Sequence, residues 1–454
     1  MSGHATVAER LAAGKEARMR APRRAHAKWR PTPDRADPVA ILRAQDSLRL
    51  PDYVPIRYGR MAVSAFAFYR GAAAVMAADL ASTPAAGIRV QLCGDAHVSN
   101  FGTYASPERT LLFGITDFDE TLPGAFEWDV KRLAASIAVA GRDQGFTRAA
   151  CREAALTAAR TYHERMSEYA GQRDLDVWYA RVSAEDALAV AKTAGTLQVK
   201  RTQHAVASAR TRDNLQAFER LTTVVDGRRR IVDAPPLIVH LPAAEAAIEQ
   251  VVRDAFAAYR RTLEDDRRVL IDRYSFVDMA RKVVGVGSVG TRCFIGLFEG
   301  RDEQDPLFLQ VKEAGPSVLE PFLGRSVFRN HAHRVVAGQR LMQAAGDIFL
   351  GWIEDAEGRH YYWRQLRDMK GSVEVTDVVP RGLVALAGVC GWALARAHAR
   401  AGDRLTIAGY LGRSDRFDQA VADFATAYAD QNERDYRRLL KAIETGEVKA
   451  ETGV

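Results

Sequence analysis

Apolar residues along this chain recur first at helical and later at strand spacing, and the change of period divides it. From Met61 to Leu80 the run MAVSAFAFYRGAAAVMAADL is Ala-rich with large apolar residues three and four apart. Thr83-Pro84 closes it, which predicts one buried helix. Two short apolar runs, IRVQL at 88–92 and LLFGI at 111–115, have strand length, and each delivers a polar cluster at its end. Residues 128–270 read mostly as helices, as in VKRLAASIAVAG and AIEQVVRDAFAAYRRTL, with one interruption around DGRRRIVDAPPLIVHLP. The period then becomes two in KVVGVGSVGTRCFIGLFEG (282–300) and PLFLQVKEA (306–314), predicting a glycine-turned hairpin and a third strand. HRVVAGQRLMQAA returns to helical spacing, FLGWIEDAEGRHYYWRQL reads as a hairpin, and LVALAGVCGWALARAHARAGD as a long apolar helix ending at Gly402. The tail from Asp415 to Ile443 is one amphipathic helix or two.

Composition adds little except at the amino terminus. With 454 residues, 47% hydrophobic and 27% charged, the chain can bury a large core without staples, and fibrous or disordered classes are excluded. The first sixty residues hold thirteen Lys and Arg against six Asp and Glu, an excess equal to the whole net charge of +7. Residues 1–50 show little periodicity, so an extended basic arm over the body is expected. Its aromatics are sparse and no nucleic-acid-binding module follows, which argues against nucleic acid as a partner. The four cysteines, Cys93, Cys151, Cys293 and Cys390, lack metal or redox spacing and read as buried thiols. No secretory leader or run of about 18 apolar residues is apparent, so a cytoplasmic protein without a membrane span is expected.

Chemistry concentrates at four places. The loop Gly94-Asp95-Ala96-His97-Val98-Ser99-Asn100 follows an apolar strand. There an aspartate can take or orient a hydroxyl proton while an amide oxygen five residues on ligates Mg²⁺. The same residues could instead satisfy a tight turn. Seventeen residues after Asn100, Asp117-Phe118-Asp119-Glu120 crowds three carboxylates, a repulsion that a divalent cation would relieve. Asp129 opens a helix and reads as a cap or first-turn charge. Gly285-Val286-Gly287-Ser288-Val289-Gly290 lies between strands, not before a helix, and suits a hairpin over phosphates better than a dinucleotide turn. Lys312, on the following strand, could merely snorkel, but beside a glycine hairpin it reads as the cation for the α- and β-phosphates. Glu320 is the nearest downstream acid able to hold it.

These parts resemble the protein-kinase-like fold, especially its aminoglycoside and choline phosphotransferase branch, with its Gly-Asp-x-His-x-x-Asn loop and later metal-binding aspartate. One departure is the order: Asp95 precedes Gly285 by 190 residues, whereas the catalytic loop normally follows the glycine hairpin. The resemblance therefore implies an α+β, two-lobed, circularly permuted chain with a largely helical larger lobe and a small antiparallel-sheet nucleotide lobe. On that plan residues 1–60 are the arm and 61–130 carry the catalytic loop and metal site. Residues 131–275 form a helical module, 276–370 the small lobe, and 371–454 the hinge and closing helices, with YYWRQLRDMKGS, before the 383–400 helix, resembling the hinge between lobes. The stretches VPIRYGRMAVSAFAFYRG, QLCGDAHVSNFG, KVVGVGSVGTRCF, LQVKEA and RQLRDMKGS are also similar to a bacterial family known as domain of unknown function 2252.

The resemblance implies ATP and Mg²⁺ (or Mn²⁺) as cofactors and transfer of a phosphoryl group to a hydroxyl of an unidentified small molecule or protein. Asp95, Asn100 and Lys312 are the expected catalytic residues, and Gly285, Gly287, Ser288, Gly290, Lys312 and Glu320 the nucleotide-binding set. Asn100, Asp117 and Asp119 are the expected metal ligands, while Arg57, Arg60 and Arg70 either position phosphate or serve packing. Nucleotidyl transfer, a nucleotide-sensing pseudokinase and a two-metal phosphohydrolase are the alternatives, the last lacking the further His and Asn motifs it needs. Two juxtapositions are required by permutation: the 383–400 helix beside the 93–100 loop, and Lys312 facing Asp117 across a cleft.

Overall fold

A computed structural model describes residues 5–212, 214–241, 245–366, 368–376 and 378–453. Its centre is a helical body in which Glu127–Asp143, Arg148–Ala170, Pro380–Ala401 and Arg416–Glu444 share one apolar core. Helices Arg148–Ala170 and Pro380–Ala401 are rich in small residues, so their backbones come close: a side-chain carbon on Gly391 would lie 2.3 Å from the Ala158 carbonyl oxygen. Pro380–Ala401 is long and apolar enough to cross a membrane by length and composition, but 83% of its most apolar window is buried inside the protein. Here it is a core helix.

The second centre is a six-stranded antiparallel sheet in the order Gly351–Glu354, His360–Gln365, Pro306–Glu313, Cys293–Glu299, Ser275–Lys282, Ile238–Val239. Helix Glu245–Arg260 covers one face, where Tyr259, Phe298 and Trp363 pack together. The first strand of the glycine hairpin runs over 275–282, so KVVGVGSVG is mostly the connection rather than a strand. Three glycines in six residues, two with positive φ (Gly285 at 66° and Gly290 at 88°), interrupt pleating there.

Two small sheets join the polar loops. Arg89–Leu92 pairs with Leu122–Ala125, and Phe101–Ala105 pairs with Leu111–Ile115. Leu92 faces Leu122 and Phe101 faces Ile115, so the connections 93–100 and 116–121 leave one sheet side by side and enter the other. The short strands Phe101–Ala105 and Leu122–Ala125 follow polar loops too closely for apolar spacing to reveal them.

Two expectations are corrected. The 61–80 run is not one helix: Ala65–Gly71 and Ala73–Ala81 follow Val54–Met61, with Ser64 capping the second helix by accepting from the Ala67 amide at 3.1 Å. Gly71 also packs against Met61, which a continuous helix would not allow. The amino-terminal arm is helical rather than extended. Val7–Arg20, capped by Thr6 with Glu9, lies on Arg404–Leu411 at a crossing made close by Gly14 and Gly409. Its buried side is Gly14 and Ala17, too small to register as an apolar stripe.

Candidate active site

The loops from the helical body and the strands of the sheet converge on one cleft. Asp95 is fixed by Arg132, whose Nε and Nη2 donate to Oδ1 at 2.8 and 2.6 Å. Burial pushes the Asp95 carboxyl up, and Arg132 and Arg70 oppose this. His97 Nε2 lies 3.7 Å from Asp95 Oδ2, but burial drives the imidazole pKa well down, so it stays neutral. The Asn100 Nδ2 donates to the Asp95 carbonyl at 2.9 Å, leaving its Oδ1 without a partner in the loop. Behind the loop, buried Asp129 accepts from the Cys93 and Gly94 amides at 2.8 and 3.1 Å and faces His398 Nε2 at 3.2 Å. Asp129 is thus structural, as expected, but its partners lie 35 and 36 residues back rather than in its own helix.

Lys312 enters from the sheet. It is paired across the strands with Cys293 and Tyr362, so Lys312 and Tyr362 share a face, and that face looks at 117–119. The ammonium forms an ion pair with Asp119 and lies 3.8 Å from Asp117 Oδ2, while Tyr362 donates to Asp119 Oδ1 at 2.8 Å. Burial opposes charge on Lys312, but the two carboxylates more than compensate and raise its pKa. Burial also opposes charge on Asp119, yet Lys312 and Tyr362 hold it below the usual range. Asp117 moves the other way, raised by burial and by the charge of Asp119. Asp119, expected as a metal ligand, is therefore the counter-ion of Lys312 here.

Glu320 does not hold Lys312 in place. Its carboxylate lies 3.8 Å from His331 Nδ1, an imidazole whose pKa burial lowers, and it opens a helix of four residues. Lys312 lies between Asp119 and Tyr362, both in reach through the strand register, and needs no helix acid. In the glycine connection Ser288 Oγ lies 3.5 Å from Asp119 Oδ2. The arm steadies the same connection: Arg60 donates to the Gly285 carbonyl at 2.6 Å, and Leu50 N–H to Gly290 O at 2.8 Å. Gly287 is approached by the Arg70 carbonyl, and Arg70 lies near enough to Asp95 to act on its charge. Arg57 instead is fully buried, donating to Gln45 at 2.6 Å and paired with Asp46, so it serves packing.

A cavity of about 540 Å³ opens beside Asn100 and Asp117, with Thr116, Arg212, Arg364 and Lys370 among its walls. Among the described residues no group of three or more His, Cys, Asp or Glu is gathered as a metal cage. Asp117 and the Asn100 amide oxygen supply two hard oxygens on this cavity, a set suited to Mg²⁺ that takes its other oxygens from phosphate and water.

Arg132, Tyr362 and Arg364 were not among the residues expected from sequence. Arg132 had one local signal, a cation directly before the apolar run LAASIAVAG, where a charge must be paired to be buried.

The architecture defines an α+β protein with small antiparallel sheets and a polar cleft between a helical body and the largest sheet. The chain belongs to the bacterial family described as "Uncharacterized protein conserved in bacteria (DUF2252)", matched over residues 49–442. No curated protein and no solved structure matches it.

Proposed function

We propose that the chain is an ATP- and Mg²⁺-dependent phosphotransferase with a circularly permuted, protein-kinase-like arrangement, acting on a hydroxyl of a small molecule or a protein. The observation that carries this is convergence: Asn100, which holds the Asp95 carbonyl, lines one cavity with Asp117, and Lys312, some 200 residues away, lies 3.8 Å from Asp117. The permuted order is supported by the end of helix Pro380–Ala401. His398 meets the Asp129 that holds the 93–94 amides, and Gly402 bridges to Val90 just before the loop.

In the transfer, the acceptor oxygen forms a bond to the γ-phosphorus as the bond from that phosphorus to the ADP oxygen breaks. Asp95 Oδ2, the oxygen not engaged by Arg132, receives the hydroxyl proton. Arg132 keeps the carboxylate oriented and ionised. Lys312 exchanges part of its contact with Asp119 for phosphate oxygens, and the 285–290 connection lies over them. Asp117 and Asn100 would hold Mg²⁺, which neutralises phosphate charge. Catalysis is positioning plus electrostatics.

Asp95→Ala is expected to lower turnover by about 10²–10⁴-fold while nucleotide affinity stays within a few-fold. Full activity in that variant, measured by ATP consumption with a panel of sugar, amino-alcohol, aminoglycoside and protein acceptors, would refute the assignment. Nucleotidyl transfer is separated by whether α- or γ-labelled ATP marks the acceptor.

A further inference from the structure

The cavity beside Asp117 carries more positive charge than one metal-bound nucleotide end explains. Among the described residues its lining includes Arg212, Arg220, Lys282, Arg364 and Lys370 against a single carboxylate, Asp117. Some buried arginines elsewhere in the molecule are matched with acids, as in Arg35 with Asp79 and Asp435 or Arg132 with Asp95, and others, such as Arg334 and Arg396, stand singly among carbonyl oxygens; here several cations gather round one hollow. Among the described residues Arg212, Arg220, Arg364 and Lys370 form no ion pair; the first, third and fourth are held by neutral oxygens. Arg212 donates to the Lys370 carbonyl at 3.2 Å, and Lys370 to the Gln365 carbonyl at 2.6 Å. Arg364 donates to Gln310 Oε1 at 2.9 Å and to the Thr116 carbonyl at 3.1 Å. Such contacts fix the direction of a cation without neutralising it. Asp117, Asp347 and Asp368 act on this group only through space.

The wall is assembled from separate parts of the chain. Arg212 and Arg220 flank or occupy helix Asn214–Leu221 of the helical module, Arg364 lies on strand His360–Gln365, and Lys370 precedes Gly371–Ser372. Like charges brought together from three segments around a hollow repel one another unless an anion joins them. The volume, about 540 Å³, lies in the range of small-ligand sites. Among the described residues the apolar side chains of the lining are Leu221 and Leu366, sparse for an uncharged ring system.

We propose that this cavity binds a phosphate-bearing group of the ligand through Arg212, Arg220, Arg364 and Lys370. The proposal rests on the phosphotransferase reading only for the source of that group: the nucleotide's own phosphate chain, or a phosphate already carried by the acceptor. Charge-assisted hydrogen bonds from two or more guanidinium groups to phosphate oxygens supply both affinity and orientation.

The test is calorimetric titration of inorganic tripolyphosphate into the full chain, for wild type, Arg220→Ala and Arg212→Ala/Arg220→Ala. Arg148→Ala, at an exposed position that opens helix Arg148–Ala170 and does not line the cavity, is the control. Saturable binding to wild type is expected, weakened about threefold or more in Arg220→Ala and tenfold or more in the double variant. The control should be unchanged. Arg220 is exposed, so its single variant keeps the test independent of folding. Repeating the titration with saturating Mg²⁺-ATP assigns the source: competition gives the nucleotide's phosphates, simultaneous binding a phosphorylated acceptor. Equal affinity in all four proteins overturns the proposal. So does failure of tripolyphosphate to bind a wild type that binds Mg²⁺-ATP, which leaves the phosphotransferase reading standing. Failure of both ligands overturns both.

Discussion

Asp129 holds the loop that carries Asp95 from behind, by receiving two consecutive amides and facing His398. Replacing it with alanine leaves the Cys93 and Gly94 amides and the imidazole without their buried acceptor. Unsatisfied buried donors cost about 1–3 kcal/mol each, so Asp129→Ala is expected to lower unfolding stability by about 3 kcal/mol in denaturant titration. Glu120 gives a pH signature. Burial raises its carboxyl pKa to about 7, against the opposing hydrogen bond from the Val318 amide at 2.7 Å. The folded protein therefore keeps this proton to higher pH than the unfolded chain, and stability from this group is lost as pH rises from about 4.5 to 7. Glu120→Gln should stabilise the protein by up to about 2 kcal/mol at pH 8 and hardly at all at pH 4.5. An equal shift of the melting temperature at both pH values would contradict this. At this scale Asp95, Asn100, Asp117 and Lys312 were legible because polar residues at strand ends have few packing reasons to be there. The counter-ion role of Asp119 was not, because Lys312 and Tyr362 reach it from 193 and 243 residues away.

Elements were legible where the apolar period was long. Pro380–Ala401, Arg416–Glu444 and Pro306–Glu313 lie where their spacing put them. The amino-terminal helix was not, because its contact side is Gly14 and Ala17, and the 61–80 region was over-read because an Ala-rich apolar run does not mark where a serine caps a new helix. Small residues matter most at the crossing of Pro380–Ala401 with Arg148–Ala170. Alanine is favoured over glycine in a helix by about 1 kcal/mol, so a solvent-facing Gly→Ala change would stabilise. At Gly391 the added methyl would sit 2.3 Å from a backbone oxygen, and the helices must part. Gly391→Ala is therefore expected to destabilise by about 1–3 kcal/mol in chemical denaturation, the cost of overpacking. A gain in stability would show that the crossing is looser than described.

For the whole molecule, the amino-terminal charge changes meaning once the fold is seen. Arg10 pairs with Asp403, Arg35 bridges Asp79 and Asp435, and Arg18 donates to the Gly409 and Tyr410 carbonyls. Much of the basic excess is thus spent tying the arm to the body, while Arg60 and the Leu50 amide tie it to the glycine connection. A further group of cations, Arg212, Arg220, Arg364 and Lys370, lies around the central cavity, where residues from the helical module and the sheet meet. Their gathering could not be read from sequence, since Arg212, Arg220, Arg364 and Lys370 are ordinary polar positions until the chain folds. The central claim is that a Mg²⁺-bound nucleotide occupies the cleft between Asp117, Asn100 and Lys312. Calorimetric titration of ATP into the wild-type chain and Asp117→Ala, each with Mg²⁺ and with chelator, tests it most directly. Binding to wild type that needs Mg²⁺, and is lost in Asp117→Ala, is the predicted result. Absence of binding, or binding indifferent to both Mg²⁺ and Asp117, would contradict it.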